Sequence, residues 1–210
     1  MIEFDETFRQ HLRELFVWRR DVRRFRSDPL PAGAIDRLIE TACLSPSVGL
    51  SQPWRFVIVD DVARRRAVID DFTACNAEAL NCYSGERAAR YAALKLSGLE
   101  QAPGHLAVFA DKEGDIGHGL GRATMPETTE YSVVAAITAM WLAARAESIG
   151  IGWVSILNPD RIHAILDVPD GWKFIAYLCI GYPEAECEKP ELEQANWEHR
   201  RDTDTFTLQR

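Results

Sequence analysis

The order of apolar and polar residues along the chain predicts a mixture of helices and short strands. Phe8, Leu12, Leu15 and Phe16 recur at helical spacing, which predicts a first helix that ends near Arg19. Similar patterns predict further helices after Pro31 and over residues 62–81, 86–101, 131–149 and 160–166. Short apolar runs predict strands at 55–59, 105–110, 153–157 and 172–180. Because helices and strands do not alternate strictly, the pattern favours an α+β fold.

Two adjacent stretches in the second half of the chain differ sharply in character. Residues 131–149 are apolar on most faces, which predicts a central, buried helix that is ended by Gly150 and Gly152. Residues 111–129 before it show no periodicity, are rich in glycine and end in the letters M-P-E-T. Connections of that length are typical of lids and binding loops. With no repeat and no low-complexity linker, we expect one domain over residues 1–210.

Composition and charge restrict the possible partners and the compartment. The formal net charge of −8 argues against nucleic acid or an anionic membrane surface as the main partner. No apolar run reaches membrane-spanning length, and the first ten residues do not resemble a signal peptide. The five cysteines lack C-x-x-C spacing and the histidines lack metal-ligand spacing. We therefore expect a cytoplasmic protein without a metal site, a nucleic-acid partner or a membrane partner.

Two segments carry residues suited to binding an anionic ligand. Five arginines fall within eight residues, at positions 19, 20, 23, 24 and 26. Guanidinium groups bind phosphate and polarise carbonyl oxygens through charge-assisted hydrogen bonds, although a solvated charge run stays the alternative. The second segment, S-P-S-V-G-L-S-Q-P-W at 45–54, combines prolines, a glycine and three serines. It is either an ordered binding loop or an ordinary turn between a helix and a strand.

These segments and three later motifs together resemble the nitroreductase-like flavoproteins. The later motifs are A-P at 102–103, A-x-x-x-G-x-G at 146–152 and L-x-x-G-Y-P at 178–183. The resemblance covers about residues 14–183 and implies a central mixed sheet wrapped by helices, in an obligate homodimer. It also implies that FMN lies at the subunit interface and touches both chains. The apolar stretch 133–144 agrees with a dimer, since it is too hydrophobic all round for a one-sided core.

Three departures from the common nitroreductase pattern resemble one branch of the family, the 5,6-dimethylbenzimidazole synthases. They are R-R-D-V-R at 19–23, T-M-P-E-T at 124–128 and G-W-V-S-I-L at 152–157. This branch fragments reduced FMN with dioxygen to 5,6-dimethylbenzimidazole, the lower ligand of vitamin B12, and erythrose 4-phosphate. FMN is then a substrate, and a separate flavin reductase supplies it in reduced form. The alternatives are an NAD(P)H-dependent nitroreductase or flavin reductase, and a non-catalytic flavin-binding protein.

The resemblance implies catalytic roles for Asp21 and Ser155. A carboxylate beside an electron-rich reduced flavin is repelled unless Arg20 or Arg23 compensates its charge, or unless it acts in the reaction. Fragmentation requires removal of a proton from the first ribityl carbon, a task that suits a positioned carboxylate. The alternative for Asp21 is a structural acid paired with arginine. Ser155 is expected to hydrogen-bond the ring edge or oxygen bound to it, and its alternative is a buried strand hydroxyl.

The resemblance assigns further residues to the flavin site. The full implied set is Arg19, Arg20, Asp21, Val22, Arg23, Ser47, Leu96, Val154 and Ser155. The region after residue 183, where nitroreductases often carry basic residues for the FMN phosphate, here holds glutamates at 184, 186 and 188. The phosphate is therefore left to Arg19, Arg23 or the tail pair Arg200 and Arg201, which the sequence does not rank. The loop at 125–128 resembles a lid.

Overall fold

The computed structural model describes residues 2–210, and its helices and strands follow the predicted order. The helices are α1 Glu6–Trp18, α2 Ala34–Ala42, α3 Val62–Leu80, α4 Gly85–Ala93, α5 Thr128–Ala146, α6 Pro159–Leu166 and α7 Glu191–Gln194. The strands are β1 Trp54–Ile58, β2 Gly104–Asp111, β3 Gly150–Val154 and β4 Trp172–Gly181. Short 3₁₀ helices lie at Val48–Leu50 and Thr203–Phe206.

The strands form one four-stranded sheet in the order β1-β2-β4-β3 within the described residues. β1 pairs with β2, β2 with β4 and β3 with β4, each time antiparallel. The α+β class is confirmed, but the prediction of a mixed sheet is wrong for these strands. The last strand, β4, lies between β2 and β3 and runs antiparallel to both, so no parallel ladder forms. A parallel bridge joins Asp21 to Ile151 at the free edge of β3.

Helices cover both faces of the sheet. On one face, α2 and α5 bury Leu38, Ile137 and Met140 against the sheet. On the other face, α3 and α6 bury Val68 and Ile162. Alternate residues of β2 point to the two faces, and every residue from 106 to 110 is fully buried. This two-sided burial explains why β2 reads as a continuous apolar run.

Three predicted boundaries are wrong because tertiary contacts change the local structure. Helix α5 ends at Ala146, and Ser148, with φ of 59°, turns the chain, so the two glycines belong to β3 instead of ending the helix. The strand predicted at 153–157 is β3 itself, which ends at Val154 and leaves Ser155 exposed beyond it. Helix α4 ends at Ala93 instead of residue 101. Residues 94–103 are irregular because Gly98 packs so closely on Phe25 that a Cβ atom would lie 2.3 Å from its ring.

Helices α1 and α5 carry apolar side chains that the single chain leaves exposed. Helix α5 buries one side against the sheet, whereas Tyr131 and Val134 on its other side are exposed. The prediction that α5 is buried on most faces is therefore wrong for one chain. Helix α1 contributes no buried residue within the described chain, although Phe8, Leu12 and Phe16 lie along it. Among residues 2–210, no helix has the length and apolarity that crossing a membrane requires.

Candidate functional site

Asp21 lies at the free edge of β3, where the segment after α1 adds to the sheet. The amide of Val22 donates to the carbonyl oxygen of Ile151 at 3.0 Å. Two residues further along β3, the amide of Trp153 donates to Oδ1 of Asp21 at 2.8 Å. The side chain of Asp21 thus accepts the next hydrogen bond along the edge, which holds its carboxylate against the strand.

The glycines of the G-x-G motif allow this close approach. A Cβ atom at Gly152 would lie 2.0 Å from the carbonyl oxygen of Val22, and one at Gly150 would lie 2.7 Å from Cγ2 of Val22. Neither distance is possible for a real side chain, so any other residue would push the segment away from β3. The motif at 146–152 therefore serves the position of Asp21, which lies far away in the sequence.

Arg23 is the partner of Asp21. Its Nε and Nη2 atoms lie 3.1 and 3.0 Å from Oδ2 of the carboxylate. Its Nη1 atom donates to the carbonyl oxygen of Lys95 at 3.2 Å, which ties the irregular segment 94–103 to the site. The side chain of Arg23 is 14% exposed and that of Asp21 is 32% exposed. Of the two arginines considered as partners for Asp21, the structure brings Arg23 into contact, and Arg23 also binds the backbone of Lys95.

Three other arginines, Arg19, Arg20 and Arg200, form a cationic cluster beside this pair. The guanidinium of Arg19 lies 4.9 Å from the centre of the Trp141 ring, and Nε1 of Trp141 donates to the carbonyl oxygen of Arg20 at 3.1 Å. Burial lowers the pKa of Arg19 and of Arg20, and the nearby charge of Arg200 lowers both further. Trp141 was not singled out from the sequence, because its place on an apolar helix indicates only core packing.

The cluster fits a phosphate group. Nε of Arg20 is buried and has no hydrogen-bond partner among residues 2–210. Like charges that lower one another's pKa are stabilised by an anion between them, and a phosphate oxygen also suits the donor at Nε. Two pockets of about 220 and about 420 Å³ adjoin here and share Arg20 and Lys189. The first is lined by Asp21 and the second by Arg200, and each also contains two glutamates, so an anion is suited only by the arginine side of these pockets.

The remaining predicted site residues lie in three different environments. Val154 is buried in the core cluster under α3 and α6, and Ser155 follows it as an exposed residue two positions after Trp153. Leu96 is half-buried and lines a separate pocket beside α3. Ser47 accepts a hydrogen bond from the amide of Gln52 at 3.0 Å and lines neither of the two pockets. Within one chain, Arg19, Arg20, Asp21, Val22 and Arg23 come together, and Leu96 directly follows Lys95, whose carbonyl oxygen contacts Arg23. Ser47 lies outside the two pockets beside them.

The lid predicted at 125–128 is the end of a longer loop over residues 112–127 whose ends are anchored, and residue 128 already begins α5. Lys112 donates to the carbonyl oxygen of Pro126 at 3.2 Å and to Glu130 at 2.8 Å, which joins the beginning of the loop to its end. The middle of the loop packs on the segment 45–54. A Cβ atom at Gly117 would lie only 2.6 Å from the carbonyl oxygen of Gly49. The loop and the second predicted binding segment therefore form one surface.

The chain is similar to known proteins over most of its length. A family model described as Nitroreductase family matches residues 16–182. The chain is 59% identical over 198 residues to a 5,6-dimethylbenzimidazole synthase of Rhodospirillum rubrum. The alignment covers 94% of each chain. It is 46% identical over 203 residues to a 5,6-dimethylbenzimidazole synthase of Rhodobacter capsulatus, which covers 97% of this chain and 98% of the relative.

Solved structures show the same fold at lower identity. One is the crystal structure of oxidised iodotyrosine deiodinase bound to FMN and 3-iodo-L-tyrosine, which superposes with a TM-score of 0.73 at 21% identity. The superposition covers 95% of this chain and 97% of the deiodinase chain. A BluB-like flavoprotein of Clostridium difficile 630 superposes with a TM-score of 0.69 at 21% identity. This superposition covers 94% of this chain and 97% of the flavoprotein chain. The chain belongs to the nitroreductase family, in the branch that contains the 5,6-dimethylbenzimidazole synthases.

Proposed function

We propose that this enzyme converts reduced FMN and dioxygen into 5,6-dimethylbenzimidazole and erythrose 4-phosphate. The observation that carries the proposal is the carboxylate of Asp21, held at the edge of β3 by Trp153 and Arg23 in a chain 59% identical to a 5,6-dimethylbenzimidazole synthase. Reduced FMN supplies the ring atoms of the product and the electrons that reduce dioxygen. The protein supplies binding, orientation and a proton acceptor.

The cationic cluster binds the FMN phosphate. Arg19, Arg20 and Arg200 offer several donors to one anion, and Nε of Arg20 is a buried donor that a phosphate oxygen would satisfy. Arg23 already pairs with Asp21 and donates to the carbonyl oxygen of Lys95, so we assign it to the carboxylate and not to the phosphate.

Asp21 is both a partner of arginine and the base of the reaction, the two roles between which the sequence did not decide. Arg23 neutralises its charge, which allows a carboxylate to remain next to an electron-rich ring. Each carboxylate oxygen has two lone pairs, and each accepts from one group in this structure, the Trp153 amide at Oδ1 and Arg23 at Oδ2. A lone pair thus stays available to accept the proton from the first ribityl carbon. The arginine pair holds the base in position and does not replace its function.

Ser155 and the loop 112–127 complete the site. Ser155 is exposed directly after β3, so its hydroxyl is free to donate a hydrogen bond to the ring edge. The loop 112–127 acts as a lid that excludes bulk water during the reaction. Its anchored ends, joined through Lys112 and Pro126, limit its movement to the middle of the loop.

The active form is a homodimer with FMN at the interface. Phe8, Leu12 and Phe16 on α1 are 44%, 40% and 53% exposed, and Tyr131 and Val134 on α5 extend this apolar surface. An amphipathic helix that buries none of its apolar face within its own chain is stabilised by a partner. Ser47, which lines neither pocket beside Asp21 in one chain, would contact a flavin held by the other chain.

A direct assay tests the function. The pure protein is mixed with chemically reduced FMN in aerated buffer, and 5,6-dimethylbenzimidazole and FMN are quantified by chromatography. We expect benzimidazole to form without NAD(P)H, because the assay supplies FMN that is already reduced. In the cell a separate flavin reductase would supply it. An enzyme that rapidly oxidises NADPH by itself and makes no benzimidazole would be an ordinary flavin reductase. A protein that keeps FMN unchanged would be a flavin-binding protein.

A further inference from the structure

Asp71 on α3 is a buried carboxylate that belongs to none of the motifs discussed above. The residue is 4% exposed. Its Oδ2 atom accepts from the amide of Asn158 at 2.8 Å, and its Oδ1 atom lies 3.4 Å from Nη1 of Arg161. The side chain of Arg161 is 62% exposed, so the charge of Asp71 is only partly compensated. A buried charge of this kind is costly, which indicates that the hydrogen bond to Asn158 matters.

Asn158 connects Asp71 to the end of β3 and the beginning of α6. Its side-chain oxygen accepts from the amides of Asp160 and Arg161 at 3.0 and 3.1 Å, which caps the N-terminus of α6. Its own amide is the donor to Asp71. The position of Asn158 therefore determines how the chain leaves β3 and enters α6.

The segment between β3 and α6 is thus held at both ends by an aspartate. Asp21 accepts from the amide of Trp153 and Asp71 accepts from the amide of Asn158. Ser155 lies between these two amides and is exposed. We propose that Asp71 is a positioning residue for the reaction, which places the hydroxyl of Ser155 relative to Asp21. This inference rests on the proposed function, because it concerns the same site.

Loss of the acceptor at position 71 should affect turnover more than substrate binding. Without it the amide of Asn158 has no partner, and the segment between β3 and α6 loses one of the two hydrogen bonds that hold it to an aspartate. A shift of about 1 Å in the position of a group that takes part in the reaction lowers the rate by roughly 10²-fold. The cationic cluster that binds phosphate does not contact Asp71, so the affinity for FMN should stay nearly unchanged. Flavin that reacts with dioxygen would then return as oxidised FMN and peroxide instead of benzimidazole.

The experiment compares three variants of the full-length protein. Asp71→Leu keeps the size of the side chain and removes the acceptor, whereas Asp71→Asn keeps an oxygen that can accept from Asn158. Arg161→Gln is the matched control, since it changes the charged contact of the carboxylate at an exposed position and leaves the Asn158 amide and the Cys75 thiol in place. For Asp71→Leu we expect kcat to fall by roughly 10–10²-fold, less benzimidazole per flavin oxidised and an unchanged Kd for FMN. Asp71→Asn and Arg161→Gln should stay near the wild type.

Two results would overturn the proposal. In the first, Asp71→Leu keeps the kcat and the benzimidazole yield of the wild type. In the second, Asp71→Leu and Asp71→Asn lose the same fraction of kcat. If Asp71→Leu does not fold, hydrogen exchange at the Asn158 amide decides the question in the wild type and in Asp71→Asn. Protection in both supports the proposal, and exchange at the rate of an exposed loop refutes it. Absence of benzimidazole from the wild type would refute the proposed function, whereas the exchange result tests Asp71 independently.

Discussion

The amide of Trp153 donates a hydrogen bond of 2.8 Å to Oδ1 of Asp21, across a sequence separation of 132 residues. This bond places an acid from the loop after α1 on the edge of β3, directly before Ser155. Arg23 holds the second oxygen of the same carboxylate. Asp21 therefore has a defined orientation while part of its side chain stays open to the adjoining pocket.

We predict that Asp21→Asn abolishes benzimidazole formation and preserves FMN binding. The amide oxygen can still accept from Trp153, but the group no longer acts as a base. Product formation should fall by ~10²–10⁴-fold, the usual loss for a general base. The measurement is chromatography of benzimidazole and FMN after mixing reduced FMN with air. Ser155→Ala is the control, with a smaller loss because the base remains. A variant with near wild-type turnover would leave Asp21 only as the partner of Arg23.

Gly152→Ala should destabilise the protein and displace Asp21. The new Cβ atom would lie 2.0 Å from the carbonyl oxygen of Val22, so the segment must move away from β3. We expect a loss of about 1–3 kcal/mol in the free energy of unfolding, measured by urea titration, together with reduced product formation. Gly114→Ala is the matched control, because its Cβ atom would make an ordinary contact at 3.4 Å with Asp111. Equal stability of the two variants would contradict the close approach at Gly152.

Arg200→Gln should weaken FMN binding, whereas Arg201→Gln should not. Arg200 is close enough to Arg19 and Arg20 to lower the pKa of each, which places its charge at the proposed phosphate site. A charge-assisted hydrogen bond contributes about 1.5–3 kcal/mol, so Kd should rise by roughly 10–100-fold. Fluorescence titration of FMN at two salt concentrations measures the effect, which should shrink at high salt. A larger loss in Arg201→Gln would assign the phosphate contact to the other tail arginine.

Leu12→Asp should convert the protein to monomers. Leu12 lies in the exposed apolar face of α1, and a charge placed in an apolar interface is costly. Sedimentation at micromolar concentration should show a dimer for the wild type and a monomer for the variant. Val62→Asp is the control, because Val62 is exposed at the first turn of α3, where an acid suits the helix N-terminus. A monomeric wild type would refute the dimer.

The buried pair of His105 and Tyr177 should make stability depend on pH. Nδ1 of His105 lies 3.0 Å from the hydroxyl oxygen of Tyr177, and burial lowers the pKa of the histidine to about 4. In the unfolded chain its pKa is about 6.5, so between these values the unfolded state binds a proton that the folded state does not. The stability that neutral His105 provides is present at neutral pH and is lost as pH falls from about 6.5 to about 4, by about 3 kcal/mol.

His105→Gln tests this pH dependence. Glutamine does not titrate and can still hydrogen-bond Tyr177, so the free energy of unfolding should vary less between pH 6.5 and 4 than in the wild type. Urea titrations at several pH values measure the difference. His118→Asn is the control, since His118 is exposed in the loop 112–127 with φ of 51°, which asparagine adopts readily. An unchanged slope in His105→Gln would show that other groups cause the acid sensitivity.

Local features of the sequence were sufficient for the order of the main helices and strands, and the resemblance to a known family indicated the candidate base. Short apolar runs predicted the strands, and Asp21 is the residue of R-R-D-V-R that departs from the common nitroreductase pattern. Such features depend on neighbours along the chain, so they are visible without the fold. The prediction of a single domain over residues 1–210 remains a prediction, as do the dimer and the catalytic roles of Asp21 and Ser155.

Only the tertiary structure decided which partners the functional residues have. Arg23, and not Arg20, pairs with Asp21 because Nη1 of Arg23 is also held by Lys95, 72 residues away. Gly152 belongs to a strand because its missing Cβ makes room for Val22, although glycine after a helix normally indicates a helix end. These contacts join distant segments, and their energies depend on backbone approach and burial. Residue order by itself therefore determines the chemical groups at the site, whereas packing determines which of them meet.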